Sequence, residues 1–346
     1  MKLLIVIVNY DVTDLAIDCL NSVAKEIPSV CDSKVVVCDN GSKPGEAERL
    51  EKTIELEHWS HWATVKTIHP NRGFCVGNNV ILQPAFESEN APQYALLLNS
   101  DTVLRRGALR ALVGFMDHRP DVGIAGSRLE DPDGRPQISA FPFVSILGEF
   151  DRGFRLGVVS RLLQKKIPPR EASDVACPCD WVAGASMIIR REVIRDIGYL
   201  DEGYFTYFDD IDYCLNARRA GWPTWYVPDS RVIHLVGQTT GVTQRESLNK
   251  SKTQKRIPRY WYEARRRYFL KNHGPTYAAI ADLVFIVGYG LWYIRRILQR
   301  KPNTDPDCMW LDAIFESVFL KGFKVEAVVN PLITKSRTRG RRRDWQ

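Results

Sequence analysis

The 346-residue sequence has eight cysteines but no pair at zinc-knuckle spacing; the closest two, Cys177 and Cys179, flank a single proline. A zinc site would ask for a two-residue gap and a second pair. Most of the cysteines sit in apolar runs, Cys38 in a strand pattern and Cys214 in a helix pattern, as reduced, buried thiols do, which points to a cytoplasmic compartment. Neither a Gly-x-Gly-x-x-Gly fingerprint nor a Walker loop occurs, and this argues against a hydride-transfer dehydrogenase and a P-loop enzyme. No internal repeat is visible. The apolar run from Leu3 to Val8 stops after six residues at Asn9-Tyr10 without a small-residue cleavage site, so it reads as a buried strand and not as a signal peptide. With 45% hydrophobic and 26% charged residues, the composition is that of a folded protein of one large domain or two.

The front half alternates short β-branched runs with longer amphipathic ones. Strands are predicted at Leu3 to Val8, Lys34 to Cys38, Thr64 to Ile68, Tyr94 to Leu98 and Val122 to Ala125, with helices at Thr13 to Lys25, Gly45 to Leu56, Gly77 to Phe86 and Gly107 to Asp117. Continuous apolar strands are covered by helices on both faces, so a parallel, Rossmann-like sheet is the expected core. Ligands of such sheets lie beyond the carboxyl ends of the strands. Three strands end there in short polar residues: Asn9-Tyr10, Asp39-Asn40-Gly41-Ser42 and Asn99-Ser100-Asp101.

From Asp131 to Pro142, and around Pro168-Pro169, proline and glycine with little periodicity read as long loops. Order resumes at a strand over Asp180 to Ile189, followed by a helix from Asp209 to Ala220 and a short strand from Pro223 to Val227.

Charge divides unevenly. From residue 250 onward, 21 Lys and Arg face 8 Asp and Glu, a balance of +13, whereas the preceding residues carry 27 against 33, or −6. An acidic front suits a site that gathers a divalent cation and a diphosphate; a basic back suits an anionic membrane or nucleic acid, or is a solvated face without a partner. Lys250 to Lys271 is basic and aromatic, and Tyr277 to Leu298 is apolar except for Asp282 before its closing arginines. That second run is near the ~20 residues that cross a bilayer. It reads as a helix lying on a membrane, a buried helix of the fold, or a span. The tail from Lys335 to Arg343, six basic residues in nine, is expected to be attracted to anionic lipid.

Two acidic stations stand out. Asp101 at a strand end is a hard oxygen ligand for a divalent cation, although a strand ending in polar turn residues is common by itself. At Phe208-Asp209-Asp210-Ile211-Asp212, three carboxylates open a helix behind aromatics. One carboxylate suffices to complement a helix start. Crowding by like charge and apolar rings raises proton affinity, which suits a general base. His234, just past the following strand, is either a structural hydrogen-bonder or a metal ligand. Asp39-Asn40-Gly41-Ser42 and Asn71-Arg72-Gly73-Phe74, with Gly77-Asn78-Asn79, are either ordinary turns or a nucleoside grip in which the glycines permit close backbone approach.

In this order, Ile5 to Tyr10, Val36 to Ser42, Asn71 to Asn79, Leu96 to Asp101, Asp180 to Ala185 and Gly198 to Asp212, ending at His234, resemble glycosyltransferase family 2, and within it the bacterial rhamnosyltransferase-like branch. The resemblance covers roughly residues 3 to 240. It implies an α/β GT-A fold, Rossmann-like with a mostly parallel sheet, in a catalytic domain over 1–245, before a helical, membrane-associating region over 246–346. It also implies inverting transfer of a sugar, with L-rhamnose from dTDP-rhamnose the best match, to a lipid-linked or glycan acceptor in surface-polysaccharide synthesis at the inner face of the cytoplasmic membrane.

The site residues follow from the same resemblance. Asp210 would be the base; Asn9, Asp39, Asn71, Gly73, Asn79 and Ser100 would bind the nucleotide; Asp101 and His234 would hold Mg or Mn; Trp181, Gly184 and Asp209 would shape the sugar and acceptor pocket. The family's metal motif is often Asp-x-Asp, and Asn99 stands here in its first place, which weakens the direct metal site. The partners implied are a nucleotide sugar, the acceptor and an anionic membrane touched by residues 250–346, with no nucleic acid. A UDP-sugar donor is the alternative within the fold. A sugar nucleotidyltransferase is disfavoured because Asn9-Tyr10-Asp11-Val12 has no glycine or basic residue for a triphosphate. A non-enzymatic membrane or nucleic-acid adaptor is disfavoured by the acidic stations.

Overall fold

The computed structural model describes residues 1–163, 172–235 and 256–328. Its strands are β1 (Leu3–Asn9), β2 (Ser33–Asn40), β3 (Ala63–Ile68), β4 (Tyr94–Asn99), β5 (Thr102–Leu104), β6 (Ile124–Glu130), β7 (Ala140–Phe141), β8 (Cys177–Cys179), β9 (Trp181–Val182), β10 (Ser186–Arg190) and β11 (Thr224–His234). Its helices are α1 (Thr13–Glu26), α2 (Glu46–Leu56), α3 (Phe74–Phe86), α4 (Ala108–His118), α5 (Ile146–Phe154), α6 (Gly157–Leu162), α7 (Arg191–Ile197), α8 (Asp209–Arg219), α9 (Arg259–Leu298), α10 (Met309–Phe315) and α11 (Val318–Lys321).

Alternate residues of the central strands enter opposite faces. Leu3, Ile5 and Ile7 of β1 pack into one apolar cluster with Leu20 of α1 and Leu112 of α4. Leu4 and Val6 pack into the other, with Leu82 of α3 and Cys214 of α8. Burial on both sides is what a continuous apolar strand requires, and it produces the expected sheet between two helical layers. The sheet order is β3-β2-β1-β4-β10-β6-β11-β5, with β8 beside β11. β3, β2, β1 and β4 are parallel, as are β6 and β11; β10 runs antiparallel between β4 and β6, and β5 antiparallel to β11.

Four sequence expectations change. The strand expected to close at Ala125 runs from Ile124 to Glu130. The strand expected over Pro223 to Val227 continues to His234, because a register shift between Val227 and Arg231 absorbs Pro228, Asp229 and Ser230 without ending the ladder. The Asp131 to Pro142 stretch contains β7, and α5 and α6 follow it. The single strand expected over Asp180 to Ile189 is two, β9 paired with β7 and β10 in the main sheet. The Pro168-Pro169 segment, the 245 boundary and the Lys335 to Arg343 tail lie outside the described residues.

Helix α9 consists of two arms joined at Gly274, whose φ of 84° and ψ of 173° break the helix before Pro275. Glycine accepts the positive φ, and proline supplies no amide for the ladder. In the first arm Tyr268 and Phe269 enter the same cluster as Leu97 of β4. The second arm contains the apolar run expected to be helical, and buries one side only, through Ala278, Ala281, Phe285 and Tyr289. Asp282, the charge within that run, is buried in an ion pair with Arg265, which also meets Glu149 of α5 at 3.0 Å.

Candidate active site

The carboxyl ends of β1 and β2 form a connected polar rim. Asn9 Nδ2 donates to Asp39 Oδ1 at 3.0 Å and to Ser42 Oγ at 3.4 Å, while Asp39 Oδ2 accepts from the Ser42 amide at 3.3 Å. Asn40 accepts from the Arg72 amide and donates to the Gly73 carbonyl, and Asn71 Oδ1 accepts from the Gly73 amide at 2.9 Å. Residues 9, 39–42 and 71–73 therefore act as one piece. At Gly73 φ is 92°, and a Cβ would lie 2.4 Å from the Phe205 carbonyl oxygen, which accepts from the Phe74 amide at 2.7 Å. The rim is thus locked to the chain that leads into α8. Ser100 is buried at the end of β4, next to Asp101. Asn79 differs from the others: both its amide protons are engaged, by the Leu200 carbonyl at 2.8 Å and Glu202 Oε1 at 3.2 Å, and its Oδ1 accepts from the Leu200 amide. It ties α3 to the 198–204 segment, and its amide protons are not free for a nucleotide.

Asp101 and His234 are 133 positions apart in sequence and adjacent in space. β5 follows Asp101 and pairs antiparallel with β11, setting His234 opposite Thr102, and the Leu235 amide donates to the Asp101 carbonyl at 3.0 Å. His234 Nε2 then lies 3.5 Å from Asp101 Oδ1, both side chains mostly buried. Among the described residues no group of three or more His, Cys, Asp or Glu could hold a metal. A carboxylate and an imidazole suit a Mg- or Mn-type cation that takes its remaining ligands from a diphosphate and water, so the pair fits a cation shared with substrate.

The second station begins with two consecutive non-glycine residues in the left-handed region, Tyr207 (φ 67°) and Phe208 (φ 62°). Such conformations cost on the order of 1–3 kcal/mol each and persist where the surroundings impose them. They deliver Asp209 and Asp210 to the first turn of α8, where the positive helix end meets negative charge. Asp210 Oδ2 accepts from the Gly184 amide at 3.1 Å, and Oδ1 accepts from its neighbour Ile211 at 2.9 Å. Burial pushes the Asp210 carboxyl up to about 6, against the pull of these amides. Burial, and then the charge of Asp210, holds Asp209 well above the usual carboxylate range. Two adjacent buried carboxyls thus share a raised proton affinity at the start of α8. Asp212 is spent elsewhere, on Lys271, Asn272 and Tyr204.

Asp209 and Asp210 border a cavity of about 530 Å³ with aromatic walls. Trp181 stacks on Phe141 with centroids 4.3 Å apart, and its Nε1 donates to the Pro142 carbonyl at 2.9 Å. A Cβ on Gly184 would sit 3.6 Å from Asp210 Cβ and 3.9 Å from Phe74 Cε1, so glycine keeps the space before the carboxylate open. The two stations are linked through two successive residues: the Asn99 amide donates to the Ala185 carbonyl at 3.0 Å, and Gly184 holds Asp210. Asn99 also lines the cavity.

The sequence expectations omitted the wall supplied by α5, where Glu149 and Arg152 face the cavity. Its signal was present: Ser145 caps the helix by accepting from the Gly148 amide at 3.2 Å, and Phe150 and Phe154, four apart, stack at 4.2 Å.

The profile of Glycosyltransferase like family 2 matches residues 2–256. An N-acetylglucosaminyl-diphospho-decaprenol L-rhamnosyltransferase of Mycobacterium tuberculosis is 27% identical over 158 residues, 43% of this chain and 48% of its own length. The rhamnosyltransferase WbbL of Escherichia coli is 26% identical over 47% of this chain and 60% of its own length. The chain thus spans about half the length of the first of these curated relatives. Among solved structures, the mannosyltransferase PcManGT of Pyrobaculum calidifontis, in complex with GDP-Man and Mn2+, superposes with a TM-score of 0.52 at 15% identity, over 92% of this chain and 87% of that one. S. aureus TarS 1-349 in complex with UDP-GlcNAc does so with 0.51 at 18% identity, over 98% and 88%. These likenesses establish a GT-A fold, and with the profile spanning the polar rim and both acidic stations, the chain belongs to glycosyltransferase family 2.

Proposed function

We propose that this protein transfers a sugar from a nucleotide donor to an acceptor hydroxyl with inversion at the anomeric carbon, and that Asp210 is the general base. The observation that carries the reading is the Asp210 carboxylate: raised to about 6, oriented by the Gly184 and Ile211 amides, and facing a cavity large enough for a sugar acceptor. A base with its affinity near the working pH transfers protons effectively.

In the step proposed, the acceptor oxygen bonds to the anomeric carbon as the bond from that carbon to the diphosphate oxygen breaks. The hydroxyl proton passes to Asp210, and the bonding electron pair leaves with the nucleoside diphosphate. Asp101 and His234 would hold Mg or Mn, which when bound would supply positive charge to the departing diphosphate. Asn9, Asp39, Asn71, Gly73 and Ser100 form the nucleotide side, and Trp181, Gly184 and Asp209 the sugar and acceptor side.

The donor we propose is dTDP-rhamnose and the acceptor a lipid-linked saccharide at the cytoplasmic face of the membrane, in surface-polysaccharide synthesis. Similarity to the rhamnosyltransferases supports that choice. The test offers dTDP-rhamnose, UDP-sugars and GDP-mannose with Mn²⁺ and diphospholipid-linked acceptors, and reads nucleoside diphosphate release and the anomeric configuration of the product. Transfer from dTDP-rhamnose with inversion is expected; retention of configuration would refute the single displacement, and turnover with a UDP-sugar alone would refute the donor.

A further inference from the structure

The second arm of α9 carries apolar side chains on the side that faces away from the protein. Its buried stripe is Ala278, Ala281, Phe285 and Tyr289. The opposite stripe, Ile280, Leu283, Val287, Leu291, Ile294 and Leu298, follows steps of three and four residues, and its members are 42–78% exposed. The most apolar 18 residues of the helix have a mean hydropathy of 1.6, yet only 33% of that stretch is buried. A helix apolar on all sides is ordinarily enclosed by an apolar medium. Among the described residues, protein covers only one side of this one.

Neighbouring elements carry the same character. Leu311 and Phe315 of α10, Phe319 and Leu320 of α11, and Val158 and Leu162 of α6 are 49–80% exposed. These elements are not free arms. Gly153 and Gly288 bring α5 and α9 into backbone contact, Arg295 donates to the Phe154 and Arg155 carbonyls, and Trp310 Nε1 donates to the Ile286 carbonyl at 2.9 Å. The Arg265–Asp282 pair fixes the inner side of the arm, where a free charge would be costly.

The end of the stripe has the chemistry of a lipid headgroup layer. Arg295, Arg296, Arg300 and Lys301 fall within seven residues without an acidic one. Arg295 and Lys301 lie over the Trp292 ring at 5.0 and 5.7 Å, and Arg296 over Tyr293 at 4.9 Å. Tryptophan and tyrosine beside arginine and lysine settle at membrane–water interfaces, and cations there attract anionic lipid.

We infer that α9's second arm, with α10 and α11, docks in one leaflet of an anionic bilayer without crossing it. Crossing would strip Asp282 and the α5 contacts from the protein, whereas lying in the leaflet covers only the stripe that is bare. Resting on the transfer reading above, this docking also positions the cavity. α5 lines the cavity through Gly148, Glu149 and Arg152 and packs on α9 through Gly153. Packed helices lie about 8–10 Å apart, so one helix layer separates the site from the lipid surface. An acceptor with its lipid chain in the leaflet can thus present its saccharide to Asp210.

The test uses the full chain with sucrose-loaded vesicles of phosphatidylcholine, with or without 30% phosphatidylglycerol. Wild type is expected to sediment with the anionic vesicles. Leu291→Glu and Ile294→Glu should each lower the partition coefficient by roughly tenfold or more, from the burial value of one aliphatic side chain. Both sites are exposed, and circular dichroism should match wild type; Leu283→Ser is the milder second variant. Quenching of tryptophan by lipids brominated along the chain should occur in wild type. Unchanged vesicle binding in all three variants would overturn the inference, as would resistance to alkaline extraction, which marks a span. A dimer in light scattering that the same substitutions dissociate, with vesicle binding intact, would assign the face to a second copy instead. Transfer to a short-chain, water-soluble acceptor separates the two readings: if it persists without vesicle binding, only the docking fails, and if binding persists without any transfer, only the proposed function fails.

Discussion

Replacing Asp210 with asparagine should make the protein more stable while disabling it. The carboxyl is raised from the ordinary 3.8 to about 6, so the folded state binds the proton more tightly than the unfolded chain. Stability is therefore lost as pH rises from about 4 to about 6, and the loss is complete above about 7. Two pH units correspond to about 3 kcal/mol. The carboxyl borders a cavity that water enters, which reduces the effect, and asparagine cannot accept from both the Gly184 and Ile211 amides, which returns about 1 kcal/mol. A net gain of about 1–2 kcal/mol is expected at pH 8, and none at pH 4. Denaturant unfolding of wild type and Asp210→Asn at the two pH values measures the difference directly. A variant no more stable than wild type at pH 8, or equally stabilised at both pH values, would refute a desolvated carboxylate at this position.

The rate should titrate the same group: kcat/KM should rise with pH by one proton and level off above about pH 6, because the proposed base works deprotonated. His234→Ala and Asp101→Asn should each raise the Mn²⁺ concentration for half-maximal activity by about tenfold or more, read from metal titrations of the rate, since each would remove one of the two proposed protein ligands, which lie 3.5 Å apart. Gly73→Ala should cost about 2 kcal/mol or more in urea unfolding, because φ is 92° and the added Cβ would meet the Phe205 carbonyl at 2.4 Å. Gly184→Ala adds its methyl without such a clash; the acceptor KM should rise several-fold while the unfolding midpoint stays put.

Much of this was legible in the chain because strand and rim are local features. Leu3 to Val8, Lys34 to Cys38 and Tyr94 to Leu98 lie within β1, β2 and β4, and the short polar residues after them share one rim, as sheet topology demands. Proximity of Asp101 to His234 was implied only by resemblance, since it depends on β5 folding back to pair with β11, and a three-residue strand has no periodicity to read. The antiparallel placement of β10 was hidden for a similar reason: an apolar run does not state its direction. Asn79 lay in a motif whose neighbours form the rim, yet its amide turns to Leu200, a contact 121 residues away. The α5 wall was missed because glycine and proline upstream suggested a loop, although Ser145 and the spaced phenylalanines marked a helix start. Asp282 weakened the apolar run in sequence; its burial against Arg265 depends on the chain turning at Gly274.

The most direct test of the central claim is the single-turnover rate of nucleoside diphosphate release from dTDP-rhamnose, with a lipid-linked acceptor at saturating Mn²⁺, in wild type and in Asp210→Asn. A positioned general base contributes roughly 10²–10⁴ in rate. Loss of that order, with donor affinity unchanged, is the expected result; a variant that turns over at the wild-type rate would contradict Asp210 as the base.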